Sequence, residues 1–371
     1  MRITFILRSL GLNGGIRVVA IYAQHLRQRG HDVRILSFKN KKIVPLSRRI
    51  KTFVKNRLFS PGYSASGCMD AESQALYSHI PCDASYHQVI DHPPPLLAED
   101  VPDGDIVIAT WWETAEWVAQ LPASKGAKVY LIQHHEVHDY LPYERVRATY
   151  QLPLRKITVS QWLLEIMCRD YGDPQTQCVP NSVDLNLFHA RPRGKNLIPT
   201  VGMVYAQNYW KGCDISLQAV AIAREKIPNL RLVAFGAIAP IPGLPLPTHT
   251  HYVRTPSQST LKDLYSQCDA WLFGSRTEGF GLPILEAMAC RTPVIGTPAG
   301  AAPELLGEGA GILVPPEDPQ AMADAIIALM HCPEAEWQAL SDRAYTKASS
   351  YTWEDATDRF ETALFKIFEA S

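Results

Sequence analysis

The sequence lacks the features that mark several classes of protein. It contains no apolar run long enough to span a bilayer, no low-complexity tract, and no C-x-x-C pair among its eight cysteines. These absences argue against an integral membrane protein, a zinc site built from paired cysteines and a secreted disulfide framework, and they favour a reducing cytoplasm. Only five apolar residues precede Arg8, so the N-terminus predicts a first strand and not a signal peptide.

A dinucleotide-binding fingerprint is also missing. The glycine-rich stretch GLNGG (11–15) does not have the G-x-G-x-x-G spacing, which disfavours a dehydrogenase. Because glycine permits close approach and unusual backbone dihedrals, we expect this loop to admit an acceptor or a phosphate. Gly14 and Gly15 are therefore candidates on the acceptor side.

Charges of the two signs nearly balance, but their distribution is uneven. The net charge is −1, yet eleven Lys or Arg residues lie between Arg27 and Arg57, against the single acid Asp32. Part of this region has a basic amphipathic pattern. Its basic residues are Arg48, Arg49, Lys51, Lys55 and Arg57. Such a pattern is typical of a helix on an anionic membrane, and equally of a surface helix packed on its own domain.

Length and hydrophobic periodicity indicate the fold class. A chain of 371 residues with 46% hydrophobic residues is expected to form about two globular domains. Strand and helix patterns alternate, and the rhythm restarts after the polar segment 189–199. We therefore predict an α/β fold with two doubly wound parallel sheets, whose ligands lie beyond the carboxyl ends of the strands. The main predicted strands are 3–7, 32–38, 105–110, 128–133, 156–160, 200–205, 230–236, 270–275 and 292–296.

The stretch SRTEGFGLPILEAMACRTPVI (275–295) places two glutamates, Glu278 and Glu286, in apolar surroundings. Pro283 suits the first position of a helix, which makes Leu282 the expected N-cap, and leucine cannot accept the free N–H bonds. Such a start suits an anion like a diphosphate, although water or a nearby loop satisfies many helix ends. The carboxylates would accept hydrogen bonds from sugar and ribose hydroxyls, and a nucleotide sugar offers both.

This stretch resembles the signature of the retaining glycosyltransferases of family four, in the run E-G-F-G-L-P-I-L-E-A-M-A-C-R-T-P-V-I. Other segments similar to that family are VSQWL (159–163), VPNSVDLNLF (179–188), AGAAPELL (299–306), VPPEDPQAMADAI (314–326) and YTWEDATDRFETALFKIF (351–368). The resemblance implies the GT-B fold, in which two Rossmann-like domains face a central cleft. It implies an acceptor-side domain at 1–188, with helices of 351–371 packing back on it, and a nucleotide-sugar domain at 189–350.

The resemblance also implies roles for individual residues. Glu278 matches the glutamate that contacts the donor sugar, Glu286 the one that holds the ribose, and Lys211 the lysine that neutralises the leaving diphosphate. Further residues matched to donor binding are Gly279, Phe280, Gly281, Leu282, Gly202 and Tyr205. Where the family usually has an arginine, this chain has Met203. This departure removes one expected phosphate contact, and a deoxysugar donor such as rhamnose is one explanation.

The first half of the chain offers further candidates after two predicted strands. In similar enzymes a histidine near QHHEVH (133–138) touches the donor hexose, so His134 is the catalytic candidate and Glu136 one on the acceptor side. Candidates for an acceptor platform after the preceding strand are Trp111, Trp112 and Glu113. The alternative is that the tryptophans belong to the core. Because H-H-E-V-H matches no zinc helix pattern, we predict no metal site.

The predicted function is metal-independent and needs no cofactor. Asp103-Gly-Asp105 lies before a predicted strand, at the wrong end for the cleft, and is predicted to be a turn and not a cation site. We expect retaining transfer of a sugar from a nucleoside-diphosphate sugar to a glycan or lipid-linked acceptor, without nucleic acid. The expected setting is cell-surface polysaccharide synthesis, in the cytoplasm or peripherally at the inner membrane face. The alternatives are a nucleotide-sugar epimerase or hydrolase, and a non-catalytic nucleotide-sugar-binding protein.

Overall fold

The computed structural model describes residues 1–39, 79–80 and 85–371. The predicted basic helix with Arg48, Arg49, Lys51, Lys55 and Arg57 lies outside the described residues. The chain forms two compact units. They are Met1–Tyr130 with Leu152–Leu154 and Ser371, and Leu131–Gln151 with Arg155–Ala370. The predicted domain boundary between 188 and 189 stays a prediction.

The first sheet has seven strands among the described residues. They are β1 (Arg2–Leu7), β2 (Asp32–Phe38), β3 (His87–Ile90), β4 (Ile106–Ala109), β5 (Ala127–Ile132), β6 (Arg155–Thr158) and β7 (Gln177–Cys178). Their order is β3-β2-β1-β4-β5-β6-β7, and β1 pairs in parallel with both β2 and β4. Strand β4 is apolar and buried along its whole length, which is typical of a parallel strand covered on both faces.

Four helices accompany these strands in the described part of the chain. They are α1 (Gly14–Gln28), α2 (Trp112–Gln120), α3 (Tyr143–Thr149) and α4 (Gln161–Tyr171). Helix α1 starts where the Asn13 side chain accepts a 3.0 Å hydrogen bond from the backbone N–H of Ile16, which satisfies one free donor of the first turn. The chain leaves this helix through Gly30, whose φ of 88° favours glycine.

Ion pairs hold the segment just before β4. Asp105 accepts hydrogen bonds from the backbone and the guanidinium of Arg2, at 2.7 and 2.8 Å. Asp103 pairs with Lys125 at 2.9 Å. Both carboxylates therefore pair with neighbouring cations just before β4, and the turn at Asp103-Gly-Asp105 stays a prediction.

The second sheet has six strands in the described chain, all joined by parallel pairs. They are β8 (Thr200–Val204), β9 (Arg231–Gly236), β10 (Thr250–Arg254), β11 (Ala270–Phe273), β12 (Val294–Gly296) and β13 (Ile312–Leu313). Their order is β10-β9-β8-β11-β12-β13, so the direction of winding reverses between β8 and β11. A parallel sheet binds ligands beyond the carboxyl ends of its strands at such a reversal.

The helices of the second half connect and cover this sheet. They are α5 (Cys213–Lys226), α6 (Gln258–Ser266), α7 (Leu282–Ala289), α8 (Ala302–Leu306), α9 (Pro319–His331), α10 (Glu334–Ser349) and α11 (Trp353–Glu369). Trp271 of β11 is fully buried, and a Cβ at Gly202 of β8 would lie 2.3 Å from its ring. The glycine on one strand therefore makes room for the tryptophan on the next.

Candidate functional site

Two charged side chains follow the strands at which the second sheet reverses. Lys211 comes after β8 and Glu278 after β11. The Nζ atom of Lys211 lies 2.6 Å from Oε1 of Glu278, and the same oxygen accepts a 2.9 Å hydrogen bond from the Ser275 hydroxyl. The Glu278 side chain is 10% exposed and that of Lys211 35%. The glutamate of the pair is therefore nearly buried, and the lysine is partly open to solvent.

Backbone packing holds Lys211 in place. A 3-10 turn, Tyr209–Lys211, carries the lysine and is followed by Gly212, whose φ of 55° is left-handed. A Cβ at Gly212 would lie 1.7 Å from the carbonyl oxygen of Gly274. The lysine turn therefore packs backbone against backbone on the end of β11, and only glycine at position 212 leaves room for this contact.

The backbone beside Glu278 is held equally closely. A Cβ at Gly279 would lie 1.6 Å from the carbonyl oxygen of Gln133. The Gly279 carbonyl accepts hydrogen bonds of 2.7 Å from the Ser160 hydroxyl and 2.8 Å from the Trp162 indole N–H. Neither donor is among the predicted site residues, because a contact between residues more than a hundred positions apart leaves no local sequence pattern.

Helix α7 begins without a side-chain cap, but one residue earlier than predicted. Gly281 is the N-cap, with a φ of 101°, and Leu282 and Pro283 open the helix. The prediction of Leu282 as the cap is wrong because the chain turns at a residue that adopts left-handed φ without strain. The side chains of Phe280 and Leu282 are buried. The 279–282 turn therefore offers a ligand its backbone and the positive end of the helix dipole.

Glu286 lies on α7 with its carboxylate in the core. It is 4% exposed, and Oε2 accepts a 2.6 Å hydrogen bond from the Tyr265 hydroxyl. The Tyr265 ring packs against Trp271 with a centroid separation of 4.4 Å. A rigid aromatic side chain therefore orients this carboxylate, and its contact with a ribose stays a prediction.

The segment after β5 supplies a histidine near the charged pair. Burial lowers the pKa of His134, and the Glu278 carboxylate partly opposes this shift, so the imidazole is neutral at pH 7. Its Nδ1 lies 2.9 Å from the carbonyl oxygen of His135. His135 itself contacts the Tyr171 hydroxyl at 2.8 Å, and burial lowers its pKa to about 4. Of these two histidines, His134 is the one whose pKa is affected by the charges of Lys211 and Glu278.

A group of stacked aromatic rings adjoins Lys211. The His138 ring lies 5.0 Å from that of Trp210 and 5.2 Å from that of Tyr140, with nearly parallel planes. Tyr140 is 61% exposed, and Trp210 directly precedes the lysine. Flat aromatic faces beside an ammonium and a carboxylate suit a ligand with both a ring and charged or hydroxyl groups.

The region around Lys211 and Glu278 matches a known family. Residues 188–347 match the glycosyl transferases group 1 family. A D-inositol 3-phosphate glycosyltransferase of Mycolicibacterium paratuberculosis is 29% identical over 213 residues, which are 51% of this chain and 47% of that protein. The O-antigen chain mannosyltransferase B of Escherichia coli is 34% identical over 95 residues, which are 25% of this chain and 24% of that protein. The chain spans about half or less of the length of these curated relatives.

Solved structures resemble the described fold over nearly the whole chain. HepE of Anabaena, solved in complex with UDP-glucose, is 19% identical with a TM-score of 0.75 over 99% of this chain and 100% of that one. A sucrose-phosphate synthase of Thermosynechococcus elongatus is 18% identical with a TM-score of 0.72 over all of both chains. Identity at this level establishes the fold alone. The fold is α/β of the GT-B type, with two parallel sheets.

Within the part that matches group 1, two predicted donor-binding residues belong to the core. Tyr205 is 1% exposed, and its hydroxyl donates to the carbonyl of Leu244 and accepts from the N–H of Ile241. Gly202 lies inside β8 against the Trp271 ring. Both residues therefore have a packing role, and their contact with a donor stays a prediction.

The position at which the resemblance to family four led us to expect an arginine is also a core position here. The Met203 side chain is 1% exposed and lies in the hydrophobic cluster with Leu232 and Leu272. A charged guanidinium surrounded by these apolar side chains would be disfavoured unless it were paired. Methionine at this place therefore removes a cation and contributes packing.

The two tryptophans of the predicted acceptor platform differ in burial, and the platform stays a prediction. Trp112 is 5% exposed, so its ring is part of the core of the first unit and has no free face for a sugar. Trp111 is partly exposed and stays a candidate. The sequence does not show which of two adjacent tryptophans is buried and which is free to stack on a sugar, because either can face the core.

The other acceptor-side candidates belong to different elements of the chain. Gly14 and Gly15 form the first turn of α1, and Glu113 forms an ion pair with Arg8 at 2.7 Å. Glu136 is 3% exposed, about as deeply buried as Glu286, and its contact with an acceptor stays a prediction.

Two kinds of feature are absent from the described residues. No group of three His, Cys, Asp or Glu side chains within it is arranged to hold a metal ion. No helix found there is both long and apolar enough to cross a membrane.

Proposed function

We propose that this protein transfers a sugar from a nucleoside-diphosphate sugar to a glycan or lipid-linked acceptor, with retention of the anomeric configuration. The main support is the Lys211–Glu278 pair, 2.6 Å apart at the reversal of the second sheet. A diphosphate needs a cation and sugar hydroxyls need acceptors, and the pair supplies both. The group 1 match and the UDP-glucose bound to HepE support the same class of reaction.

Donor binding replaces the contact between Lys211 and Glu278 with contacts to the donor. In the free protein Lys211 and Glu278 neutralise each other. The donor diphosphate competes for the ammonium, and the released Glu278 oxygen accepts a hydroxyl of the sugar while Ser275 continues to orient it. When the bond between sugar and diphosphate breaks, negative charge develops on the leaving oxygen. Lys211 and the N-terminal amides of α7 stabilise that charge, which is the electrostatic contribution to catalysis.

Retention follows from attack on the face that the diphosphate leaves. The acceptor oxygen bonds to the anomeric carbon as the bond to the diphosphate oxygen breaks, and that oxygen takes the acceptor's proton. Glu278 serves as a hydrogen-bond acceptor and not as a nucleophile. Neutral His134 donates from Nδ1 to the His135 carbonyl, so its Nε2 accepts a hydroxyl of the donor sugar.

The proposal extends to the cofactor requirement, the donor sugar and the setting of the reaction. Lys211 and backbone amides supply the positive charge, so we propose a reaction without metal or cofactor. A deoxysugar donor such as rhamnose agrees with the missing arginine at Met203. The acceptor would belong to cell-surface polysaccharide synthesis, met in the cytoplasm or at the inner membrane face.

Incubation with a panel of UDP, GDP, TDP and ADP sugars, with and without membrane extract, tests the function. We expect one class of donor to be consumed only when extract supplies an acceptor, and NMR of the product to show the donor's anomeric configuration. Donor conversion without extract would indicate an epimerase or hydrolase. Inversion in the product would contradict the front-face reaction.

Two controls sharpen this experiment. Lys226, at the exposed end of α5, provides the matched variant, so Lys226→Met should retain the activity that Lys211→Met loses. EDTA should leave the rate unchanged. Loss of activity in EDTA with recovery in manganese or magnesium would disprove the metal-independent reaction.

A further inference from the structure

Arg276 makes an unusually complete set of contacts two residues before Glu278. Its guanidinium forms a paired interaction with Asp214, with both hydrogen bonds at 2.8 Å. It also bonds both carboxylate oxygens of Glu317 and donates to the carbonyl of Tyr209 at 2.7 Å. The guanidinium carbon lies 3.8 Å from the centre of the Tyr209 ring.

These contacts enclose the lysine turn. Tyr209 comes two residues before Lys211, and Asp214 comes three residues after it in the first turn of α5. The backbone N–H of Arg276 also donates to the carbonyl of Trp210 at 2.8 Å. A single residue, two positions before Glu278, therefore contacts the chain on both sides of Lys211.

The guanidinium has no donor left for a ligand. Arginine carries five side-chain N–H donors, and the five hydrogen bonds of Arg276 to Asp214, Glu317 and Tyr209 use all of them. Direct contact with a phosphate would require one of these bonds to break. Arg276 therefore acts through the position of other groups.

We propose that Arg276 is a positioning residue that sets the Lys211 ammonium for the donor diphosphate. It connects the turn that carries Lys211 to the turn that carries Glu278. Because Met203 supplies no cation, the position of the Lys211 ammonium matters more, and Arg276 fixes that position. This inference rests on the proposed function. A displacement of about 1 Å in a charged group at such a site can lower turnover about 10²-fold.

A double-mutant cycle tests the coupling. We expect Arg276→Met to lower kcat by about tenfold or more when Lys211 is present, because the ammonium is no longer held in place. In the Lys211→Met background the same change should alter kcat less than about twofold, since no ammonium remains to be positioned. Equal losses in both backgrounds would show a general structural role and would overturn the inference.

Two further variants separate geometry from charge and from folding. Arg276→Lys keeps the charge but cannot bond Asp214 and Glu317 together through a planar fork, so its kcat should stay at least about threefold below wild type. Wild-type turnover in Arg276→Lys would overturn the geometric role. Arg224→Met, on the same helix as Asp214, serves as the arginine control and should leave kcat unchanged.

Measurements without turnover separate this inference from the proposed function. Arg276→Met should speed hydrogen exchange in the peptide 207–213. It should also weaken the binding of UDP or GDP, but this second effect should occur only when Lys211 is present. If no donor is consumed but this pattern holds, the proposed function fails and the positioning role stands. If wild type transfers sugar while exchange and binding are unchanged in Arg276→Met, the positioning role fails and the function stands.

Discussion

Two strand-to-helix turns of this molecule differ in how they satisfy their backbone. After β4, the Thr114 hydroxyl accepts the N–H groups of Thr110 and Trp111, both at 2.9 Å, and donates to the Trp111 carbonyl. After β11, Gly281 caps α7 without any side-chain hydrogen bond. The first turn is complete in itself. The second leaves helix N–H groups for a ligand.

Each turn also carries an ion pair of nearly the same length. Arg8 and Glu113 are 2.7 Å apart beside the first turn, and Lys211 and Glu278 are 2.6 Å apart beside the second. The acids differ in exposure, at 27% for Glu113 and 10% for Glu278. The length of an ion pair therefore does not identify a site. An uncapped helix start next to a sheltered carboxylate is the more informative feature.

The largest expected effect comes from breaking the sheltered pair. Lys211→Ala and Glu278→Gln should each lower kcat by about 10²–10³-fold, since each removes a preorganised group at the leaving diphosphate or the sugar. Steady-state kinetics with the donor chosen by the panel measures this. Arg8→Met should change kcat by less than about threefold. Equal losses in Arg8→Met and Lys211→Ala would remove the distinction between the two turns.

The next effect comes from the close backbone contact beside Glu278. Gly279→Ala would drive a Cβ into the Gln133 carbonyl, and overpacking of this kind destabilises by about 1–3 kcal/mol. We expect a lower Tm by scanning calorimetry and at least about tenfold lower kcat, because the Glu278 turn must shift. Gly243→Ala is the matched control, since a Cβ there meets no atom. An unchanged Tm and kcat in Gly279→Ala would show that this packing is not needed.

Much of the fold could be predicted because apolar runs are local features. The segment 32–38 is predicted and observed as β2, and β8, β9 and β11 end within two residues of their predicted ends. Strand β10 (Thr250–Arg254) was not predicted. It lies at the sheet edge with little buried side chain, so its conformation depends on pairing with β9 and not on a hydrophobic pattern.

The site could be predicted only in part, for a related reason. Glu278, Glu286 and the helix start lie within one short motif, so residue types and spacing reveal them. The contacts of Ser160 and Arg276 join segments far apart in sequence, and they depend on backbone packing that no local pattern encodes. Trp112 shows a second limit of prediction from sequence. Its residue type suggested a sugar-binding surface, but sequence alone does not tell which face of its helix is buried.

A smaller effect is expected at the aromatic support of Glu286. Glu286→Ala should raise the donor KM by about tenfold with little change in kcat, which is the loss of roughly one hydrogen bond to a charged group. Tyr265→Phe keeps the carboxylate and removes only the 2.6 Å hydrogen bond that orients it. Its KM should rise by less than that of Glu286→Ala. A fall in kcat with an unchanged KM in Glu286→Ala would place this carboxylate in the chemical step.

The smallest catalytic effect is expected in the turn that is complete in itself. Thr114→Val keeps the side-chain volume but leaves the buried N–H groups of Thr110 and Trp111 without their acceptor, at a cost of about 1–3 kcal/mol. Calorimetry should therefore show a Tm lower by a few degrees, while kcat and donor KM stay within about twofold of wild type. If Thr114→Val instead lowers kcat without lowering Tm, the first turn takes part in the reaction. That result would contradict the assignment of a structural role to the turn after β4 and a functional role to the turn after β11.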